Sequence, residues 1–203
     1  DEIMNIVQNF VSPFKYNIKC PYPMTPEFIV VHNTANDASA KNEIAYMISN
    51  NNQVSFHYAV DDKEIVQGIP ENRNAWHAGD GGSGPGNRRG IAIEICYSLS
   101  GGQRFIEAEK LAAKFIAYKL KEKGWGIDRV KKHQDFSGKY CPHRTLDMGW
   151  QRFLNMVKSE LDKLKGGATV AEKNVPSSWA KGAWEWAKKE GLLDGTRPKD
   201  NLT

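Results

Sequence analysis

The chain has 203 residues, of which 40% are hydrophobic and 26% are charged, and its formal net charge at pH 7 is +4. This composition is typical of a folded soluble domain and excludes disordered and collagen-like chains, and no apolar run approaches the roughly 18 residues of a membrane-spanning helix. The positive excess is too small for a nucleic-acid-binding surface. The length allows one domain of ordinary size and a smaller second segment.

The first predicted elements are a strand, a helix and a hairpin. Residues 28–31 (FIVV) form a β-branched apolar run that ends at His32, and the spacing of apolar residues predicts a helix over 40–49. Two short strands follow over 55–60 and 64–69, separated by a pair of aspartates that favours a turn.

The second half of the domain contains a strand and two longer helices. A glycine-rich loop over 79–90 precedes an almost entirely apolar strand over 91–98. Helices are predicted over 103–123, with Gly124 as the C-terminal cap, and over 149–164. This order predicts the α/β class, with a mixed β-sheet flanked by helices. The core-facing stripe of the first of these helices is predicted to consist of Ile106, Leu111, Phe115, Tyr118 and Leu120.

The character of the sequence changes after Lys165. Residues 166–176 have no periodic apolar pattern, which predicts a linker. Residues 177–203 carry tryptophan and alanine at helical spacing but are too few to bury a core alone. We therefore predict a main domain over 1–165, followed by the linker and a short, partial helical repeat.

Two separate parts of the sequence could hold a metal ion. His32 ends an apolar strand, and strand ends in sheets of this type face the crevice where ligands bind. Much later, the sequence KKHQDFSGKYCPHR places His133, Cys141 and His143 in one loop-like stretch. Two histidines and one thiolate would bind Zn²⁺ with one position open, as in catalytic zinc sites. A buried Cys141, a disulfide between Cys141 and Cys20, and a structural zinc with four ligands remain alternatives.

Glu94 is the only charged residue in the predicted strand IAIEICYS. A buried carboxylate costs several kcal/mol unless it is paired, bound to a metal or protonated. A raised pKa in such a setting would suit a general base, and a buried ion pair is the alternative.

The remaining histidines are weaker candidates. His57 lies inside an alternating strand and is predicted to be structural, whereas His77 lies at the mouth of the glycine-rich loop, where it could contact substrate or cap the loop. His143 lies only two residues from Cys141, a short separation for two ligands of one metal ion.

Five motifs occur in a characteristic order: VVHNTA, FHYAVDD, AWHAGD, GIAIEICYS and HQDFSGKYCPHR. Together they resemble the zinc-dependent N-acetylmuramoyl-L-alanine amidases of the type-2 family, in particular its phage endolysin branch. The family shares its fold with peptidoglycan recognition proteins. The resemblance covers about residues 10–165 and implies that Zn²⁺ is the cofactor and that bacterial peptidoglycan is the partner, with no nucleic acid and no membrane insertion.

The resemblance also implies roles for individual residues. His32, His133 and Cys141 match the zinc ligands of the family. Glu94 matches a strand glutamate that acts as the base, and Lys139 matches a lysine that stabilises the oxyanion.

The substrate groove is implied by the same motifs. His77 matches a residue that lines this groove, and we assign Asn33 and Trp76 of the neighbouring motif positions to it as well. Relatives with a catalytic tyrosine carry it just before the histidine of the hairpin strand, where this chain has Phe56, so Glu94 is the predicted base. Residues 177–203 resemble the start of a surface-layer-homology repeat, a cell-wall-binding module.

The expected activity is hydrolysis of the amide bond between N-acetylmuramic acid and the L-alanine of the stem peptide. The start DEIMNIVQNF has neither the basic region nor the apolar core of a secretory signal. We therefore expect a phage or prophage endolysin that is made in the host cytoplasm and acts on the cell wall. An extracellular autolysin, a non-catalytic peptidoglycan-binding module, a structural-zinc protein and a cysteine peptidase that uses Cys141 are the alternatives.

Overall fold

A computed structural model describes residues 4–166, and the first of the two compact units into which the chain divides is Asp1–Leu164. The predicted linker beyond Gly166 and the predicted repeat over 177–203 lie outside the described residues. In the described part of the chain, no helix is both long enough and apolar enough to cross a membrane.

Six strands form one mixed sheet in the spatial order β1-β4-β3-β5-β2-β6. The pairing of β3 with β4 is antiparallel, as predicted for a hairpin, and the other four pairings are parallel. The strands are β1 (Ile6–Gln8), β2 (Phe28–Asn33), β3 (Tyr58–Val60), β4 (Ile65–Gln67), β5 (Gly90–Ile95) and β6 (Val130–Lys132).

Helices flank this sheet, which confirms the predicted α/β class. Two 3₁₀ turns, Pro13–Lys15 and Ile127–Arg129, precede α1 and β6. The helices are α1 (Tyr16–Lys19), α2 (Ala40–Ser49), α3 (Pro85–Arg89), α4 (Gly102–Lys123), α5 (Gln134–Ser137), α6 (His143–Met148) and α7 (Trp150–Gly166).

The elements with clear end signals have the predicted bounds. Helix α2 begins after Ser39, whose hydroxyl accepts a hydrogen bond from the Asn42 N–H, and ends at the predicted residue. Helix α4 ends at Gly124, which adopts the left-handed conformation that glycine favours. Helix α7 buries Phe153, Val157 and Leu161 on one face.

Some predictions about local structure were wrong. Strand β3 begins at Tyr58 rather than at residue 55, because Ser55 hydrogen-bonds to the backbone of Trp76 outside the sheet. The glycine-rich loop contains α3. The stretch 131–144 is not one loop, because it includes the end of β6, all of α5 and the start of α6.

The predicted stripe of α4 also needs correction. Phe105 and Ile116 are fully buried, whereas Ile106, Leu111 and Tyr118 are only half-buried. Alanines fill much of the buried face and let the helix approach the sheet closely. The prediction rested on the spacing of large apolar residues, and that spacing does not reveal the alanines. The buried alanines of α4 are Ala108, Ala112, Ala113 and Ala117.

Candidate metal centre and active site

The site lies at one edge of the sheet, where three parallel strands end. In the register of β2 with β5, His32 lies directly opposite Glu94. In the register of β2 with β6, Val31 lies opposite Lys132, so that His133 follows at the same edge. Parallel strands that share a register deliver the residues at their carboxyl ends to one place, which explains how positions distant in the sequence meet here.

Cys141 is brought to this edge by the chain that follows α5. The Gln134 N–H donates to the carbonyl of Cys141 at 3.1 Å, which folds the segment back on itself. The ligand atoms of His32, His133 and Cys141 consequently lie within 4.8 Å of one another, and all three side chains are buried. These residues could hold a metal ion.

The donor set and its spacing fit zinc. The Sγ of Cys141 lies 3.8 Å from the Nδ1 of His32. This is close to the edge of about 3.6 Å expected between a nitrogen and a sulfur ligand of tetrahedral Zn²⁺. Imidazole and thiolate are also the ligand types that zinc prefers.

Burial favours the neutral form of all three ligand residues. Desolvation lowers the pKa of His32 well below its usual value, and it lowers the pKa of His133 as well, so both rings are neutral at pH 7. Desolvation raises the pKa of the Cys141 thiol to about 12, so its proton must leave when the sulfur binds a metal ion.

Glu94 reaches into the same cluster from β5. Its Oε1 lies 4.0 Å from the Nδ1 of His32, and its Oε2 is buried without a hydrogen-bond partner. Desolvation raises the pKa of this carboxyl to about 8, repulsion from Glu43 adds to the rise, and Lys139 opposes it. The side chain is therefore a carboxyl group held near the metal cluster with a free oxygen, which fits a proton acceptor better than a structural ion pair.

A groove of about 880 Å³ passes over the cluster. Lys139 is exposed on its wall, beside Cys141 and close enough to influence the pKa of both Glu94 and His32. The exposed ammonium group can therefore meet a ligand in the groove.

The three residues predicted to contact substrate all line the groove. Trp76 is half-buried, and the N–H of its ring is buried without a partner. Asn33, in contrast, uses its side chain within the protein: its Oδ1 accepts from the N–H groups of Arg144 and Thr145, and its Nδ2 donates to the Thr145 hydroxyl. Contact of these three residues with substrate stays a prediction.

His77 packs behind the cluster as well as along the groove. Its Nδ1 lies 2.9 Å from the Nε2 of His32. Its own Nε2 is buried with no well-oriented partner, although backbone hydrogen bonding near Gly90 and Gly86 opposes the fall in its pKa that desolvation causes. No pattern in the sequence indicates the contact with His32, because the two residues lie 45 positions apart.

The other two histidines do not join the cluster. His57 is fully buried, with its Nε2 2.8 Å from the carbonyl of Arg73 and its Nδ1 accepting from the Ala92 N–H. The Nε2 of His143 lies 3.1 Å from the carbonyl of Ser98. All three cysteines of the chain are free, which excludes the alternative of a disulfide between Cys20 and Cys141.

The fold and the site together define a class: an α/β protein with a mixed sheet and, at the strand ends, a His/His/Cys cluster that could hold a metal ion. The family model described as N-acetylmuramoyl-L-alanine amidase matches residues 22–144. The chain belongs to the N-acetylmuramoyl-L-alanine amidase family, and it is an enzyme that degrades the bacterial cell wall.

Named relatives place it more closely within this family. The chain is 57% identical to N-acetylmuramoyl-L-alanine amidase CwlA of Bacillus subtilis, over 88% of this chain and 68% of that protein. It is also 57% identical to N-acetylmuramoyl-L-alanine amidase XlyB of the same species, over 86% of this chain but only 54% of that protein. The solved structure of PlyL is 54% identical, with a TM-score of 0.74, over 76% of this chain and 97% of that chain.

Proposed function

We propose that the chain is a zinc-dependent hydrolase that cleaves the amide bond between N-acetylmuramic acid and the L-alanine of the stem peptide. One observation carries this proposal: a His/His/Cys cluster meets a half-buried carboxyl group, whose Oε2 has no hydrogen-bond partner, at the floor of a single groove. A structural zinc with four protein ligands would leave no position for substrate.

His32, His133 and Cys141 would hold the metal ion. When bound, the ion supplies a Lewis acid that polarises the scissile carbonyl and favours deprotonation of nearby groups. Glu94, whose pKa burial raises to about 8, would be more readily ionised beside a bound cation, so that its carboxylate form would be available near neutral pH.

Glu94 is the proposed general base. Its free Oε2 accepts a proton from the attacking water, whose oxygen then forms a bond with the lactyl carbonyl carbon. The same carboxyl group can return this proton to the nitrogen of the leaving L-alanine, so that the amide breaks into a carboxylic acid and an amine without net gain or loss of protons at Glu94.

Lys139 is the proposed oxyanion stabiliser. Its ammonium group stands on the groove wall close to Glu94 and Cys141, where negative charge develops on the carbonyl oxygen during attack. A charge that is already in place lowers the free energy of the transition state more than that of the neutral substrate. Trp76, Asn33 and His77 would line the groove for the glycan and peptide on either side of the scissile bond.

The proposed biological setting is lysis of a bacterial host by a phage or prophage endolysin, which the motifs of the sequence resemble. An autolysin would use the same chemistry on the wall of its own cell. In both settings the substrate is peptidoglycan outside the cell membrane.

Product analysis on purified peptidoglycan tests the proposal. We expect new L-alanine amino groups, no new reducing ends, loss of activity with a chelator and recovery with Zn²⁺. New reducing ends would show a glycosidase, and activity that survives the chelator but is blocked by thiol alkylation would show a cysteine peptidase. Binding without any product would show a recognition module.

A further inference from the structure

We propose that His77 is a positioning residue for the metal site, which accepts a hydrogen bond from the Nε2 of His32 and so keeps the Nδ1 of His32 available for the metal. This inference rests on the zinc site of the proposed function. It assigns a specific role to a side chain that the sequence places only along the substrate groove.

The two ring nitrogens of His32 face different surroundings. Its Nδ1 points into the cluster, 3.8 Å from the Sγ of Cys141 and 4.0 Å from the Oε1 of Glu94. Its Nε2 points away from the cluster and lies 2.9 Å from the Nδ1 of His77, a normal hydrogen-bond distance. The two rings meet edge to face, with an interplanar angle of 83°.

This geometry selects one tautomer for each ring. A neutral imidazole has one N–H and one lone pair, and a metal ion takes the lone pair. When the Nδ1 of His32 binds the metal, the proton is on Nε2, and His77 must offer its Nδ1 lone pair to accept it. The proton of His77 is then on its own Nε2. A histidine ligand whose second nitrogen is hydrogen-bonded in this way is held in orientation and is a stronger donor to the metal.

No neighbouring histidine competes for this hydrogen bond. The ring of His57 is close to that of His77, at 6.4 Å between centroids, but both of its nitrogens are occupied by the backbone of Arg73 and Ala92. His77 is therefore the partner of His32 rather than one member of a chain of exchanging histidines.

The glycine-rich loop fixes the backbone that carries His77. The Oδ1 of Asn87 accepts from the N–H groups of both His77 and Ala78, each at 2.8 Å, and its Nδ2 donates to the carbonyl of Gly81 at 3.1 Å. The carboxylate of Asp80 in turn accepts from the N–H groups of Gly86 and Asn87. The loop thus forms a clamp on the segment that presents the imidazole.

The glycines of the clamp are required by close packing. A Cβ built on Gly86 would lie 2.5 Å from the Cβ of Ala78, and one built on Gly84 would lie 2.2 Å from the backbone oxygen of Asp80. A side chain at either position would push the clamp apart. The close packing of Gly84 and Gly86 therefore supports the position of His77.

Zinc affinity, measured by competition with a chromophoric chelator, tests the role of His77. His77→Leu removes the acceptor, and we expect its zinc Kd to rise by about 10- to 100-fold. His77→Asn has nearly the same shape as the leucine variant but keeps an acceptor oxygen near the position of Nδ1, so we expect it to restore zinc affinity to within roughly 3-fold of the wild type. Equal affinities for the two variants would overturn the proposal.

A control variant and the unmodified chain separate this inference from the proposed function. His143→Asn removes an imidazole that lies outside the cluster, and its zinc affinity should equal that of the wild type. Failure of the wild-type chain to bind zinc would refute the proposed zinc site itself. Zinc binding by the wild type with no change in His77→Leu would refute only the role of His77.

A measurement without substitutions covers the case in which His77→Leu does not fold. In the zinc-loaded wild-type chain labelled with ¹⁵N-histidine, NMR should show the Nε2 of His32 and the Nε2 of His77 protonated, and the Nδ1 of His32 bound to metal. Metal bound through the Nε2 of His32 would contradict the inference. Asn87→Ala, which keeps the imidazole but loosens its backbone, should weaken zinc binding by a smaller factor than His77→Leu.

Discussion

Two consecutive residues of one strand have buried polar side chains with very different hydrogen-bonding surroundings. His32 and Asn33 end β2, and their side chains point to opposite faces of the sheet. On the side of His32, the neighbouring carboxyl group of Glu94 keeps one oxygen without a partner and has a pKa of about 8. On the side of Asn33, the polar atoms are connected in a continuous network.

The Asn33 network links the sheet to three helices. The Thr145 hydroxyl accepts from the Asn33 amide at 3.2 Å and donates to the buried carboxylate of Glu109 at 2.9 Å. Glu109 then pairs with Arg152 of α7 at 2.7 Å. Each buried group in this series has at least one partner, as stability requires.

The difference indicates which polar groups serve stability and which are held ready for a ligand. An unpartnered buried carboxyl group lowers stability, and a fold retains it where a ligand or a reaction needs it. A fully bonded network, in contrast, holds elements of the fold together. Substitution of Glu94, on the His32 side of β2, should therefore lower activity and raise stability. Substitution within the Asn33 network, on the other side, should lower stability.

The largest expected effect is on activity, from Glu94→Gln. Loss of a general base should reduce the rate of amide hydrolysis by about 10²- to 10⁴-fold, while zinc content, measured by atomic emission, stays unchanged. Glu107→Gln, on the outer surface of α4, is the matched control and should hydrolyse peptidoglycan at the wild-type rate. Loss of zinc from the Glu94 variant would mean that this residue holds the metal site together instead.

Lys139→Met should have the next largest effect. Removal of a positive charge that stabilises an oxyanion should lower kcat by about 10²- to 10³-fold. Because the proposed role is specific to the transition state, KM should change much less than kcat. Lys158→Met, at an exposed position of α7, controls for the loss of one charge. A rise in KM at constant kcat would instead make Lys139 a substrate-binding residue.

The zinc-free chain should become more stable when Glu94 is replaced by Gln. An unfolded glutamate ionises near pH 4.5, whereas in the folded chain this carboxyl keeps its proton until about pH 8. The wild type therefore loses stability as the pH rises from 4.5 to 8, and the variant does not. At pH 8 the gain in the free energy of unfolding should be roughly 3 to 5 kcal/mol.

Urea unfolding of the two zinc-free proteins between pH 4.5 and 8 measures this gain directly. The difference between them should be smallest at the acidic end and should grow with pH. A constant difference across this range would show that the pKa of Glu94 is not raised by burial.

Thr145→Val should have the smallest effect, and on stability rather than on chemistry. The substitution keeps the shape of the side chain but leaves Asn33 and Glu109 each without one partner, which should cost about 1 to 3 kcal/mol in the free energy of unfolding. Zinc affinity should remain that of the wild type, because His32 faces the other side of the sheet. A large loss of zinc affinity in Thr145→Val would show that the two sides of β2 are coupled.

By itself, the sequence determined the fold class, the family, the bounds of α2 and the end of α4. These features depend on local signals: apolar periodicity, a serine cap, a glycine at the end of a helix and motifs whose order along the chain is visible. The residues proposed for the active site were also predicted from the sequence. His32, Cys141 and Glu94 stand out against their own neighbours, and the family resemblance selected His133.

Tertiary structure alone decided what each polar side chain faces. The register of β2 with β5 places His32 opposite Glu94, the close packing of alanines rather than larger residues sets the buried face of α4, and the clamp of Asn87 sets the position of His77. Asn33 and His32 are adjacent in the sequence and both polar, yet one lies in a bonded network and the other in the His/His/Cys cluster. A strand turns successive side chains to opposite faces, and only the packing of the whole domain determines which groups each side chain contacts.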